Sequence, residues 1–230
     1  MIRGALGQSL YKNYPHVYEN MMKVDRPNST PNPFVISAPY PSKRSYAAGE
    51  TLSFYVTLLG SAYVFEQNVL DAAAYMCEGK LSATQLTGFE QIYNMEWTDE
   101  GAAHIPMCEA LRVNFISPTE IFIQKQLATQ LDFSTFVDRV FLRIAGIIDS
   151  YGESEFVVPY HLIYAKPYIE TACDFQVVKF QAGGQPITGF LGQVQYLGDV
   201  TRYLPYVDLC SQIHVGKKTT RACGEYRFEI

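Results

Sequence analysis

The sequence predicts an α+β protein in which one small unit of strands and helices occurs twice. Three observations carry this. Apolar stripes of helical period and alternating runs of strand period follow one another along the whole chain, without segregating into blocks. The order of elements in the second half repeats the order in the first. At 230 residues, 48% of them hydrophobic, the chain is long enough to give two such units a core each.

Residues 3–14 (RGALGQSLYKNY) place Leu6 and Leu10 on one helical face, and Pro15 ends the segment. HVYENMMKV, 16–24, partly alternates and reads as a strand or an irregular stretch. DRPNSTPNP is a loop of turn formers, followed by the strand candidate PFVISAP and a second loop with Lys43 and Arg44. GETLSFYVTLLG, 49–60, is a strand with Leu52, Phe54, Val56 and Leu58 on one face. Phe65, Val69, Ala72, Ala73 and Met76 then recur at helical steps, with Gly79 as a stop. QLTGFEQIYNMEW, 85–97, returns to strand, and residues 98–110 lack a period and read as a linker.

The second half restarts with ALRVNFISPTEIFIQ, two strand-like runs broken at Ser117-Pro118. FSTFVDRVFLRIAGIIDSYG, 133–152, is a helix whose stripe is Phe136, Val137, Val140, Phe141, Ile144, Ile147 and Ile148. CDFQVVKFQ and GFLGQVQYLGDV are strands, TRYLPYVDLCSQI is a short helix or extended stretch, and EYRFEI closes the chain as a strand. Strand–helix–strand–strand–helix–strand, twice over, is the ferredoxin-like (RRM-like) pattern. The expected domains are 1–105 and 106–230, the first lacking its opening strand because its helix begins almost at Met1. A sheet one strand short has an edge that another segment or a partner should fill.

No run approaches the roughly 18 apolar residues of a membrane span. The first residues hold no apolar core of signal-peptide length, so no secretion signal is expected. Five cysteines with no CxxC pair suggest reduced thiols and a cytoplasmic protein, and argue against zinc; no metal or other cofactor is expected. No GxxxxGK[ST], GxSxG, HExxH or GxGxxG pattern occurs. The net charge of −5 argues against a nucleic-acid partner, but its distribution does not. Residues 1–50 hold six Lys/Arg against three acids and residues 201–230 five against three, so the acidity lies in the middle. The basic tail HVGKKTTRACGEY is either a loop kept soluble by its charges or an anion-binding loop.

That tail, with GFLGQVQYLGDVTRYLPYV before it, resembles the C-terminal part of the CRISPR-associated precursor-RNA endoribonucleases, members of the RAMP superfamily. RGALGQSLY, PFVISAP and GETLSFYVTLLGSA match the front of that family in order and spacing, and so does LRVNFISPTEIFIQ followed by FVDRVFLRIAGIIDSYG. The resemblance implies two tandem ferredoxin-like domains, a glycine-rich loop that touches RNA, and cleavage of CRISPR repeat RNA. It departs at Ala222-Cys223-Gly224, where the family usually has Gly-any-Gly. Partners implied are CRISPR repeat RNA and other CRISPR-associated proteins; a homodimer is left open. The alternative is a non-catalytic RNA-binding subunit of a CRISPR effector complex.

RNA is cut without metal when a base takes the proton of the neighbouring 2′-hydroxyl and an acid protonates the leaving 5′-oxygen, roles that suit histidine. The family's histidine, where present, follows the first helix with a tyrosine and a lysine nearby. His16 has that placement, with Tyr14 (or Tyr11) and Lys23 as its neighbours, against the plainer reading of a surface histidine. His104 sits in the linker and His161 in a tyrosine-rich run where packing is the simpler role. In the tail, Gly216 and Gly224 would let backbone N–H groups approach phosphate, and Lys217, Lys218 and Arg221 would supply charge. Thr219 and Thr220 add hydroxyl donors, His214 adjoins them, and Arg3 extends the positive track.

Overall fold

The computed structural model of the chain describes residues 2–23, 30–38, 46–47, 49–76, 107–152, 159, 161–162, 168–182 and 185–230. The strand expected at 85–97, residues 98–106 of the linker, Lys43, Arg44 and His104 lie outside them.

Leu6 and Leu10, four apart and fully buried, set the inner face of α1 (Ile2–Asn13). Pro15 ends this helix and also opens the next, because the first position of a helix needs no N–H. Residues 16–21 are therefore not a strand but part of α2 (Pro15–Met21), with Val17 and Met21 as its buried face. β1 (Phe34–Ser37) pairs antiparallel with β2 (Tyr55–Leu58), Phe34 facing Leu58 and Ser37 facing Tyr55. The strand expected over 49–60 is thus limited to its last apolar residues. A 3-10 turn at Gly60–Phe65 leads into α3 (Glu66–Met76), whose Val69, Ala72 and Met76 point inward as their spacing requires. Among the described residues no strand precedes α1.

The second half holds β3 (Ala110–Thr119), a small hairpin of β4 (Phe122–Ile123) and β5 (Gln126–Leu127), and α4 (Phe133–Tyr151). Asp132 caps α4, accepting from the Thr135 N–H at 2.9 Å. β6 (Glu170–Ala182) and β7 (Gln185–Leu197) form a long hairpin, then come α5 (Leu204–Ile213) and β8 (Tyr226–Glu229). The sheet runs β6-β7-β3-β8 with every neighbouring pair antiparallel, which is the ferredoxin-like order, and the molecule is of the α+β class. The two runs expected around Ser117-Pro118 are one strand with a register shift between Phe115 and Thr119. Phe115, Phe190, Tyr196 and Tyr226 turn toward α4 and α5 and are buried. The opposite face of β3, β6, β7 and β8 carries Glu170, Asp174, Gln193, Arg112, Asn114, Arg227 and Glu229, and none of those aromatics.

The two halves meet at β1. Phe34 and Ile36 pack in the N-terminal core with α1, α2 and α3, while Val35, pointing the other way, belongs to the C-terminal core. The end of α4 reaches the same place, where the Tyr151 hydroxyl donates to the Pro31 carbonyl at 2.6 Å. No described helix is long and apolar enough to cross a membrane.

Candidate nucleic-acid interface

α5 stops at Ile213, and residues 214–224 return the chain to β8 through a loop that turns left-handed at His214, Gly216, Lys218, Ala222 and Gly224. Gly216 and Gly224 are required for space as well as for φ. A Cβ on Gly224 would overlap the Val215 carbonyl oxygen, and one on Gly216 would lie 2.6 Å from the Glu120 carbonyl oxygen. Ala222 holds φ of 58° without glycine's freedom, at a cost of about 1 kcal/mol. Four of the loop's N–H groups are used within the protein: Val215 to Gly224 O, Lys217 to Glu120 O, Arg221 to Lys218 O and Gly224 to Pro118 O. The expectation that the loop amides face phosphate does not hold for these four.

Arg143 of α4 holds the loop from below. Its Nε donates to the carbonyls of Ile213 (3.2 Å) and His214 (3.1 Å), and its Nη2 to Ile213 O (3.0 Å) and Thr219 Oγ1 (3.1 Å). A cation here answers the exposed carbonyls and negative dipole end of α5. Burial pushes the Arg143 pKa down.

His214 is 1% exposed. Its Nδ1 lies 3.1 Å from the Cys223 carbonyl, which can only accept, so Nδ1 carries the proton. Burial lowers the ring's pKa to about 4, so it is neutral and Nε2 accepts from Ser37 Oγ at 2.9 Å. Thr219 and Thr220 are buried as well, and Lys218 is ion-paired with Glu120, whose side chain is 4% exposed. His214, held by Ser37 and the Cys223 carbonyl, Thr219, held by Arg143, and Lys218, held by Glu120, thus shape the loop.

The loop presents Lys217 outward, exposed, with its Nζ 5.1 Å from the centre of the Phe122 ring, while Arg221 is half-buried. Ala222, next to Arg221 in the loop, packs on the N-terminal core that includes Ala5 and Leu6 of α1. Arg3 Nε is buried with no hydrogen-bond partner among the described residues, and the Arg3 pKa is lowered by burial first and by Arg221 second. A cavity of about 290 Å³ opens between Pro31–Asn32 and Gly216–Thr219, with Arg143 and Lys217 in its wall.

Each of the three residues expected to do chemistry has a neighbour of its own. His16 is exposed on α2 with its ring edge-on to Phe65 at 6.4 Å. The Tyr14 hydroxyl donates to Asp71 Oδ2 at 2.8 Å, a bond that raises the phenol's pKa. Lys23 Nζ pairs with Glu19 at 3.4 Å across one exposed helical turn. His16, Glu19, Asn20 and Lys23 share the outward face of α2 and of the turn that follows it. His161 is exposed, not packed.

The sequence reading missed Arg143, Ser37 and Glu120. Arg143 did leave a signal. It lies three residues from Val140 and next to Ile144 on a helix with a long apolar stripe, and Arg139 stands one turn before it. A cation so close to a buried stripe needs carbonyls to bond. Arg139 supplies the parallel case, donating to Phe122 O at 3.1 Å.

The C-terminal half is thus a ferredoxin-like unit whose last connection, from α5 to β8, is a cationic, glycine-punctuated loop. The sequence model described as CRISPR-associated endoribonuclease Cas6 matches residues 113–226, from β3 through the loop to β8. The chain belongs to this Cas6 family. A second family model, described as an N-terminal domain, matches residues 1–105. Among solved structures, Thermus thermophilus Cas6 (TTHB231) is 14% identical, with 99% of this chain and 89% of that one covered and a TM-score of 0.60. A Cas6 (TTHA0078) product complex is 15% identical over 99% and 91% of the two chains, with a TM-score of 0.57. A chain of a partial Cas6-RT-Cas1–Cas2 complex is 13% identical, covers 99% of this chain and 42% of its own length, and has a TM-score of 0.60. At these identities the likeness is one of fold. No curated protein matches the chain.

Proposed function

We propose that the protein cuts CRISPR repeat RNA at a fixed position, by attack of the neighbouring 2′-hydroxyl and without a metal, leaving a 2′,3′-cyclic phosphate. The observation that carries the reading is the family match over residues 113–226, which contains the loop set against α1. Lys217, Arg221 and Arg3 hold phosphates, with Gly216 and Gly224 fixing the loop's shape. His16 moves the protons. Tyr14, kept a neutral phenol by its bond to Asp71, and Lys23 stabilise the phosphate as charge builds on it.

The domains run 1–105 and 106–230. The described cysteines are free thiols, which agrees with a reducing cytoplasm. The solved relatives include one in a product complex and one assembled with reverse transcriptase, Cas1 and Cas2, so RNA and other CRISPR-associated proteins are the partners proposed here, with self-association as a further one.

Incubation with a repeat transcript in EDTA tests the reading. Cleavage at one position supports it. Tight binding without products identifies instead a non-catalytic subunit that holds the guide. His16→Ala should lower the cleavage rate by about 100-fold or more, with affinity for the uncut RNA unchanged. A normal rate in that variant would remove His16 from the mechanism.

A further inference from the structure

His214 has φ 59° and ψ 152°, a backbone conformation essentially reserved for glycine. Lys218 and Ala222, the loop's other non-glycine residues at positive φ, lie instead in the left-handed helical region, with ψ of 30° and 41°, which ordinary side chains enter more readily. The strain at 214 is held from three sides. Nδ1 of the ring donates to the Cys223 carbonyl at 3.1 Å, Nε2 accepts from Ser37 Oγ at 2.9 Å, and the residue's own carbonyl accepts from Arg143 Nε at 3.1 Å. Glycine at 214 would make the same turn without strain, but it would bond neither Cys223 nor Ser37 through a side chain. What histidine adds to the turn is a fixed link to β1.

That link lies between two sets of groups that the reaction must bring together. Ser37 follows Ile36, and Ile36 packs in one core with Val17 and Met21 of α2, the helix that carries His16. On the other side, His214 stands three residues before Lys217 in the loop. We infer that His214 is a positioning residue for RNA cleavage: through Ser37 it sets the glycine-rich loop, and the phosphate held there, at a fixed distance from the proton-transferring group on α2. The inference rests on the cleavage reading above and adds Ser37 and His214 to it as a pair that meets no substrate, since the ring of His214 is buried. Two physical arguments favour positioning over a bond that only steadies the fold. Apolar packing, as at Val35, has no preferred direction, whereas a hydrogen bond fixes both distance and angle. Proton transfer around a phosphate tolerates little misplacement; a shift of about 1 Å costs on the order of 100-fold in rate. A conformation that glycine would adopt freely, held under strain by a side chain bonded across the joint, is the kind of feature that persists where the geometry is used.

The test measures the single-turnover cleavage rate of a repeat transcript and, separately, the dissociation constant for the same transcript carrying a 2′-deoxy nucleotide at the mapped cut, which binds but has no attacking hydroxyl. Ser37→Ala removes one hydroxyl and little else; the rate should fall about tenfold while the dissociation constant stays within about twofold of wild type. Ser37→Thr keeps the hydroxyl and should restore the rate. His214→Asn puts an amide N–H where Nδ1 stands, facing Cys223, but is too short to reach Ser37. It should lose about as much rate as Ser37→Ala, and the two together should cost no more than either alone. Ser37→Thr and His214→Asn carry the comparison if Ser37→Ala does not fold. An unchanged rate in Ser37→Ala and His214→Asn, a rate and an affinity that fall together, or losses that add in the double variant each overturn the inference and leave the cleavage reading standing. A wild type that binds the transcript without cutting it removes the cleavage reading itself, before any variant is compared, and the inference with it.

Discussion

Ala222 and Gly224 stand two residues apart in the same loop, both at positive φ, and differ in what surrounds them. Gly224 has backbone against it, so Gly224→Ala must push Val215 away and break the hydrogen bond from the Val215 N–H to the Gly224 carbonyl; a loss of about 3 kcal/mol or more is expected. Ala222→Gly relieves left-handed strain but gives up a methyl contact and loosens the unfolded chain, so it should lie within about 1 kcal/mol of wild type. Urea denaturation of the two variants checks both; equal effects would mean that the loop does not fold as described. The sequence made these positions visible as glycine punctuation and flagged the missing glycine at 222. It did not reveal which polar groups face inward. Lys218, Thr219 and Thr220 look like a solvated basic run, and only Glu120, almost a hundred residues away, turns Lys218 inward.

At the scale of elements, periodicity served well where the stripe was long. α4 and the β6–β7 hairpin lie where their patterns put them, because burying a full stripe outweighs any local preference. It failed for α2, a helix of seven residues, too short to display a period, whose start was read as a stop because proline serves both ends. The positioning of α5 and its loop depends on α4 through one side chain. Arg143→Met keeps the stem but leaves the Ile213 and His214 carbonyls without their donor, and should cost about 2–3 kcal/mol. Hydrogen exchange should then quicken at the amides of Val215, Lys217 and Gly224 and stay slow in β7. Uniform quickening across the sheet would show that Arg143 supports the whole half and not the loop.

For the molecule as a whole, the joint between halves is apolar at Val35, hydrogen-bonded where Tyr151 meets Pro31, and polar again where Ser37 meets His214. That point responds to pH. His214 has a folded pKa of about 4 against an ordinary value of 6.5, so below pH 6.5 the unfolded chain binds a proton that the folded one refuses. Stability from this group is complete above pH 6.5 and is lost as the pH falls toward 4, by up to about 3 kcal/mol. His214→Gln removes that dependence. The stability gap between wild type and variant should therefore shrink as urea titrations move from pH 7 to pH 4.5, and a constant gap would show that the ring is not buried neutral. The sequence placed His214 beside the loop but gave no sign of its partner on β1, since nothing local marks a contact across so long a stretch of chain.

That contact spans 177 positions, and the loop that makes it lies among the last elements of the chain. During translation, α1 and β1 leave the ribosome long before their counterpart exists, so the cationic surface cannot assemble on a nascent fragment. Transcripts crowding the polysome meet the assembled loop only once residues 214–224 have been made and have folded back onto β1.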